Sequence, residues 1–314
     1  MRDLVMHRVV LDPWTLQGLH CDEEPDETGA LVRTAAVLLT GRQCPWSCVM
    51  CDLWRHTLEH DTPVGAIPRQ IELAITELRR DAHPFPQHLK LYNAGSFFDP
   101  RAVPPSDYPV IAGLVSPFER VVVESHPALI GPRVVEWQSV FDGSLEVAMG
   151  LETAHPDALL RLNKGMTVES FQRAARWLND RAVGVRVFLL VHPPFIPQEE
   201  RDHWLLRSVD VALDSGATAV SLIPFRVGND ALEAAVRAGD AVSPTLSALE
   251  HAMLLALDHV RSRRSRMRVF VDLWDLDSWD LERLGCERCA DVARARLATM
   301  NLTQLAEPAV PCAH

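Results

Sequence analysis

The sequence is poor in the features that direct a protein to a membrane or to nucleic acid. No apolar run in its 314 residues is long enough to span a bilayer, and the first residues contain no apolar segment typical of a secretory signal. Basic residues are not in excess, since 31 Lys and Arg oppose 42 Asp and Glu, a net charge of −11. That balance disfavours broad electrostatic attachment to nucleic acid or to an anionic membrane. We therefore expect a cytoplasmic protein with no membrane partner.

Internal repeats, low-complexity tracts and clear linkers are also lacking, so nothing cuts the chain into independent domains. From residue 34 onward, short apolar runs alternate with longer amphipathic segments, the pattern of repeated βα units around a parallel sheet. Six such units predict an α/β fold, a partial (β/α)6 TIM-type barrel. We expect a short N-terminal lead-in at 1–33, the barrel at 34–230, and a cysteine-containing C-terminal extension of helices at 231–314.

The individual elements follow from the same periodicity. Strands are predicted at 35–40, 88–92, 120–124, 145–149, 183–191 and 218–223, with a further strand beside the barrel at 268–273. Helices are predicted at 68–80, 167–180, 198–214 and 243–260, and residues 278–300 also look helical. The segment 132–138 precedes the fourth strand. Because barrels of this kind place their active sites at the carboxyl ends of the strands, we expect the functional residues in the loops that follow them.

Seven cysteines are unevenly spread along the chain. They fall into a CxxxCxxC motif directly after the first predicted strand, a group near the C-terminus and one isolated residue: Cys44, Cys48 and Cys51; Cys286, Cys289 and Cys312; Cys21. Disulfide frameworks suit small secreted domains, whereas clustered thiols in a reducing compartment indicate metal ligands. A closed structural zinc site normally needs four ligands, but three thiolates can hold a four-iron four-sulfur cluster that keeps one iron open.

The motif, placed after the first strand of a six-unit barrel, resembles that of the radical S-adenosylmethionine (SAM) enzymes. The resemblance covers roughly residues 34–230. It implies that the three cysteines hold a four-iron four-sulfur cluster and that SAM chelates the open iron. It further implies that an electron donor such as flavodoxin or ferredoxin reduces the cluster, which cleaves SAM to a 5′-deoxyadenosyl radical. The family usually has an aromatic residue before the last cysteine, and Met50 stands there instead, with an expected apolar contact to adenine.

The resemblance extends to segments that end later strands. Gly95 and Ser96 stand where the family has a glycine-rich segment that receives the methionine amino group. Glu124 opens a Glu-x-x-Pro sequence like that of the elongator-type branch, which makes it a candidate for the ribose hydroxyls or the amino group. Glu152, at the end of the fourth predicted strand, is a further cofactor-binding candidate.

The fifth and sixth predicted strands add three candidates. Arg186 and His192 share one face of the fifth strand because side chains alternate along a strand. If that face is interior, Arg186 is expected to pair with the methionine carboxylate and His192 to lie at the rim as a catalytic residue near substrate. If it faces the helices instead, neither residue reaches the site. Asn229, after the sixth strand, is an expected adenine contact.

Within the family, two stretches look closest to the archaeosine-forming radical lyase group: Gly95–Pro100 and Leu189–Phe195. That group also has methionine before its last cysteine, and the resemblance implies a modified tRNA base as substrate. His192, however, replaces a lysine of that group, and a small metabolite or a peptide remains the competing substrate. The arginine-rich run at 261–268 is either a tRNA contact or a solvated helix end.

The C-terminal cysteines allow several readings. Cys286, Cys289 and Cys312 are predicted to hold an auxiliary iron–sulfur cluster or a zinc ion, or to be plain thiols. An alternative interpretation of the whole chain is a non-catalytic metal-binding protein in which both cysteine groups are structural. Iron stoichiometry and reductive SAM cleavage distinguish an enzyme from such a protein.

Overall fold

The computed structural model describes residues 10–227, 229–274, 276, 279 and 281–308. In that part of the chain the strands, numbered in chain order, are β1 (Gly18–Pro25), β2 (Leu31–Leu38), β3 (His88–Tyr92), β4 (Arg120–Glu124), β5 (Ser144–Glu152), β6 (Gly184–Val191), β7 (Ala219–Pro224) and β8 (Arg268–Val271). The α-helices there are α1 (Ala66–Arg80), α2 (Tyr108–Val115), α3 (Pro132–Gln138), α4 (Pro156–Arg161), α5 (Val168–Asn179), α6 (Arg201–Asp214), α7 (Asp230–Arg237), α8 (Leu246–Ser262), α9 (Leu281–Leu284) and α10 (Glu287–Thr303).

The strands neighbour one another in chain order in an eight-stranded sheet. β2, β3 and β4 pair in parallel, and so do β6, β7 and β8. Parallel neighbours need a crossover connection, and helices supply it here. This arrangement agrees with the predicted alternation of strands and helices. β1, however, lies in the predicted lead-in, where no periodicity indicated a strand.

The chain divides into two compact units that share this alternation. Of the described residues, the first unit contains those within 10–22, 33–45 and 52–147, and the second contains those within 23–32, 46–51 and 148–308. The predicted division at residues 33 and 230 remains a prediction. Among the described residues, no helix has the length and apolar character needed to cross a bilayer.

Burial explains the strand and helix sequences. Val121, Val122 and Val123 of β4 are all buried, as expected for a parallel strand that is covered on both faces. Helix α1 buries Ile71 and Leu78 of an apolar stripe whose members recur at intervals of three and four residues. Its opposite face carries charged side chains to solvent.

The buried amide of Gln70 joins α1 to the chain just beyond β2. Its side chain is 0 % exposed. Gln70 Oε1 accepts a hydrogen bond from Thr40 N at 2.7 Å, and Nε2 donates to Thr40 O at 2.9 Å and to Pro13 O at 2.6 Å. The amide therefore satisfies both backbone groups of Thr40 where the strand has ended. The segment that leads to Cys44 consequently starts from a fixed point.

We expect Gln70→Leu to lower the free energy of unfolding by about 2–4 kcal/mol, because the loss of these bonds leaves buried backbone groups unsatisfied. Urea unfolding followed by circular dichroism measures the change. Glu72→Gln on the solvent side of the same helix is the control and should change stability by less than about 0.5 kcal/mol. Equal stability of Gln70→Leu and the parent chain would contradict this role for the amide.

Candidate functional site

The CxxxCxxC thiols lie in the irregular segment that follows β2. Cys44, Cys48 and Cys51 are partly exposed, and no disulfide joins cysteines in the described part of the chain. Cys51 N donates to Cys48 O at 3.1 Å, so the last two cysteines lie on one turn. Accessible thiols in this number and spacing fit the soft-ligand chemistry of an iron–sulfur cluster. Among the described side chains no group of three or more His, Cys, Asp or Glu is arranged to hold a metal ion, so the ligand set remains a prediction from the motif.

Residues 46–51 of this segment, which we call the cysteine loop, are docked on the chain that follows α4. Val49 N donates to Leu162 O at 2.9 Å. The side-chain amide of Asn163 donates to Ser47 O at 2.9 Å. These bonds give partners to peptide groups that have no strand or helix ladder of their own.

Two side chains of the cysteine loop are packed in the second unit. Trp46 lies over Gly165 (φ +69°), where an added Cβ would lie 2.7 Å from the indole ring, so only glycine allows this approach. Met50 packs against a buried apolar cluster that includes Leu162 and Phe225. The partly buried Met50 side chain therefore has an apolar partner within the protein, and its predicted contact with adenine stays a prediction.

Asn229 binds the cysteine loop directly. Its Nδ2 donates to Val49 O at 2.8 Å and to Cys51 O at 2.9 Å, while its Oδ1 accepts from Leu232 N at 2.8 Å and caps helix α7. The residue is 9 % exposed. Its amide thus has protein partners at both ends, which makes Asn229 a positioning residue for the loop. Its predicted adenine contact stays a prediction.

In the first unit, the ends of β3 and β4 form a polar turn around Asn93. Asn93 N donates to Glu124 Oε1 at 2.7 Å, so that carboxylate oxygen holds backbone. The Asn93 side chain is 0 % exposed, and neither its Nδ2 nor its Oδ1 has a hydrogen-bond partner among the described residues. An added Cβ on Gly95 would lie 3.0 Å from Arg42 O. A buried amide without partners beside a glycine that permits close approach fits a polar ligand such as SAM.

Ser96 has a structural partner in the same unit. Its Oγ accepts a hydrogen bond from His126 N at 2.9 Å, and Ser96 is 1 % exposed. The hydroxyl therefore helps to fix the chain that follows β4. The predicted cofactor contact of Ser96 stays a prediction. Asn93 is not among the residues that the sequence patterns identify as cofactor ligands. The available signal was a polar residue immediately after a buried strand.

A buried ion pair lies at the carboxyl end of β5. Glu152 Oε1 lies 2.6 Å from Lys164 Nζ, and their side chains are 8 % and 12 % exposed. Glu152 has a φ of +67°, and an added Cβ on Gly150 would overlap with its carboxylate. Lys164 thus neutralises the carboxylate of Glu152, the residue predicted to bind the cofactor. If Glu152 contacts the cofactor, it does so while paired with this lysine.

Arg186 and His192 lie at opposite ends of β6. The Arg186 guanidinium is 4 % exposed and donates from Nη2 to Glu24 Oε2 at 2.8 Å. The guanidinium is thus paired with a carboxylate of β1. Its predicted pairing with the methionine carboxylate stays a prediction. His192 directly follows β6, so it stands at the carboxyl end as expected for a residue at the rim. Its catalytic role remains a prediction.

The C-terminal pair Cys286 and Cys289 lies where α10 begins. Both side chains are partly exposed, and Cys289 N donates to Cys286 O at 3.0 Å. This turn suits a two-thiol clip for a metal. Cys312, the third predicted ligand, lies outside the described residues, so the second metal site remains a prediction.

No family model matches the chain. It is 26% identical over 188 residues to "Uncharacterized protein MJ0550" of Methanocaldococcus jannaschii, with 57% of this chain and 51% of that protein covered. It is 28% identical over 196 residues to "Archaeosine synthase subunit beta" of Methanosarcina acetivorans, with 59% and 55% covered. The chain therefore spans about half the length of the curated relatives that it matches.

Two solved structures share the fold. The archaeal Elp3 of Methanocaldococcus infernus has a TM-score of 0.54 at 13% identity, with 75% of this chain and 59% of that chain covered. Methylornithine synthase (PylB) has a TM-score of 0.52 at 14% identity, with 85% and 70% covered. Both likenesses confirm the α/β fold of the partial TIM-barrel type. The radical SAM resemblance inferred from the cysteine motif is consistent with these neighbours.

We expect Asn229→Asp to loosen the cysteine loop without uncapping α7, because aspartate keeps the capping oxygen but loses both donors to the loop. In the metal-free protein, the backbone amides of residues 46–51 should exchange with deuterium about tenfold faster or more, since an unsatisfied carbonyl costs about 1–3 kcal/mol. Iron uptake on reconstitution should fall in parallel.

The matched control is Thr245→Asp, which also places aspartate at a helix N-cap, at α8, where Thr245 Oγ1 accepts from Ala248 N at 3.2 Å. This variant should leave exchange in the cysteine loop unchanged. If Asn229→Asp exchanged at the parental rate, Asn229 would not be the positioning residue for the loop.

Proposed function

We propose that this protein is a radical SAM enzyme that holds a four-iron four-sulfur cluster with Cys44, Cys48 and Cys51. The observation that carries the proposal is the CxxxCxxC motif directly after β2 in a chain whose fold is shared with radical SAM enzymes. When bound and reduced, the cluster would supply the electron that cleaves SAM to a 5′-deoxyadenosyl radical, which then modifies the substrate. The electron donor would be a flavodoxin or ferredoxin.

The chain's own residues would prepare this chemistry. Leu162, Asn163 and Asn229 fix the cysteine loop through its backbone. Asn93 would offer its unpartnered amide to the polar groups of SAM, and Gly95 would let the ligand approach the backbone. Because the cysteine loop is already held in place, cluster binding would lose less conformational entropy of this segment.

For the substrate, we propose a base of tRNA. The support is sequence similarity to a relative whose name is archaeosine synthase subunit beta, together with the stretches at 95–100 and 189–195 that resemble that group. A small metabolite or a peptide is the competing substrate. Because the chain spans about half of that relative's length, the relative's whole activity does not transfer with the similarity.

Ion pairs within the protein lower the number of arginines at 261–268 that are available to contact RNA. Arg263 lies 3.4 Å from Asp210 Oδ1 and 3.3 Å from Asp214 Oδ1, and Arg268 is 4 % exposed beside Glu27. Two exposed arginines of the run, Arg264 and Arg266, have no carboxylate within ion-pair distance among the described residues. Any phosphate contact of this run would rest on those two.

Anaerobic reconstitution with iron and sulfide tests the enzyme proposal. We expect the triple Cys44/Cys48/Cys51→Ala variant to bind about four fewer iron atoms than the parent chain. After reduction with dithionite, the parent should release 5′-deoxyadenosine from SAM, measured by chromatography, and Cys48→Ala should release none above background. Cys21→Ala, at an exposed thiol on β1, is the control and should retain both properties.

The same preparations test the second metal site and the alternative class. If Cys289→Ala loses iron but still cleaves SAM, the C-terminal cysteines hold an auxiliary cluster. Tight zinc binding by the parent chain with no SAM cleavage under reducing conditions would instead identify a non-catalytic metal-binding protein and overturn the proposal.

For tRNA, we expect the double variant Arg264→Gln/Arg266→Gln to weaken a gel shift and to reduce the salt dependence of binding. The slope of log K against log salt concentration should fall by about 1 to 2, since each lost phosphate contact removes about 0.7–0.9. The control is Arg79→Gln/Arg80→Gln at the exposed end of α1. No tRNA binding by the parent chain at low salt would favour a small substrate.

A further inference from the structure

Arg201, the first residue of α6, is a partly buried cation of the second unit that is not neutralised by an acidic side chain in the described part of the chain. Its Nε is buried without a hydrogen-bond partner, and no carboxylate lies within ion-pair distance among the described residues. By contrast, other arginines of this unit pair with acids: Arg161 with Asp240 and Arg186 with Glu24.

The acidic residues beside Arg201 in sequence are directed elsewhere. Glu200 accepts a hydrogen bond from Trp204 Nε1 at 3.0 Å, and Asp202 lies 2.9 Å from His251 Nε2. Glu199 is exposed and acts on Arg201 only through its charge, which opposes the lowering of the Arg201 pKa that burial causes. A partly desolvated guanidinium therefore keeps unused donors, an arrangement that favours an external anion.

The one polar side chain that Arg201 contacts among the described residues is His192. Arg201 Nη1 lies 3.4 Å from His192 Nδ1. Burial and, secondarily, the arginine charge lower the pKa of His192 to about 4, with Asp202 opposing and His251 adding to the shift. The imidazole is therefore neutral at neutral pH, and it offers a hydrogen bond without adding a second charge.

The turn that carries His192 is held in place. His192 has a φ of +53° and Phe195 a φ of +71°, conformations that non-glycine residues rarely adopt. Phe195 N donates to Asp240 O at 2.6 Å, and the Arg161 guanidinium lies 3.9 Å from the centre of the Phe195 ring. These contacts stabilise a strained turn, which is a common feature of ligand-binding segments.

We propose that Arg201 and His192 form a binding subsite for a carboxylate group of the substrate. One guanidinium and one neutral imidazole together carry a single positive charge, which matches a monoanion, whereas a phosphate dianion usually requires further cations. The subsite rests on the proposed function, since it assumes a substrate that enters at the carboxyl end of β6.

Acetate titration of the reconstituted, oxidised enzyme tests the subsite. The histidine ring signals are followed by nuclear magnetic resonance at constant ionic strength, and His192→Gln identifies the His192 signal. We expect a saturable shift of that signal with acetate, and an acetate affinity about tenfold weaker or more in Arg201→Gln, the usual effect of losing a charge-assisted bond. Arg207→Gln, at an exposed arginine of the same helix, is the matched control and should bind acetate as the parent does.

A SAM titration of the same variants separates the substrate from the cofactor. An unchanged SAM affinity in Arg201→Gln supports a carboxylate of the substrate, whereas a tenfold weaker one would assign the arginine to the methionine carboxylate and overturn the proposal. Acetate that leaves the His192 signal unmoved would also overturn it. Cluster content and SAM cleavage, measured on the same samples, show independently whether the enzyme proposal holds.

Discussion

The cysteine loop depends on hydrogen bonds that come from outside it. Residues 46–51 form neither a helix nor a strand, so their peptide groups need other partners. Leu162, Asn163 and Asn229 supply them, two of the three through side-chain amides. An amide can donate and accept at once, so Asn229 both caps α7 and holds two carbonyls of the loop. The positions of Cys48 and Cys51 are therefore coupled to the fold around α4 and α7 before any metal binds.

Charge compensation governs the remaining polar residues of the second unit. Burying a charge is costly unless an opposite charge and hydrogen bonds accompany it. Glu152 with Lys164 and Arg186 with Glu24 meet that condition within the protein. Arg201 does not, and its burial and unbonded Nε leave a local deficit of negative charge. A ligand carboxylate would complete the same pattern that the internal pairs follow.

Sequence periodicity predicted the βα alternation well, and the predicted strands at 88–92 and 120–124 coincide with β3 and β4. β1 escaped prediction because its acidic residues resemble a loop, and its Glu24 is the partner of Arg186. Alternation along β6 predicted a shared face for Arg186 and His192, but it does not say what lies opposite each residue. The protein contacts of Asn229 and Met50 could not be predicted for the same reason, since their partners are distant in sequence.

The backbone has left-handed conformations at several strand ends, and sequence patterns do not predict them. Ala94 follows β3 with a φ of +52°, Glu152 ends β5 with +67°, and His192 follows β6 with +53°. Each left-handed non-glycine residue costs roughly 1 kcal/mol or more and persists only where its surroundings hold it. Lys164 holds Glu152, and the Arg201 contact accompanies His192. Backbone strain thus recurs at the carboxyl ends of strands, where barrel enzymes place their active sites. The strained conformation also sets the direction of each side chain, which the residue type alone does not determine.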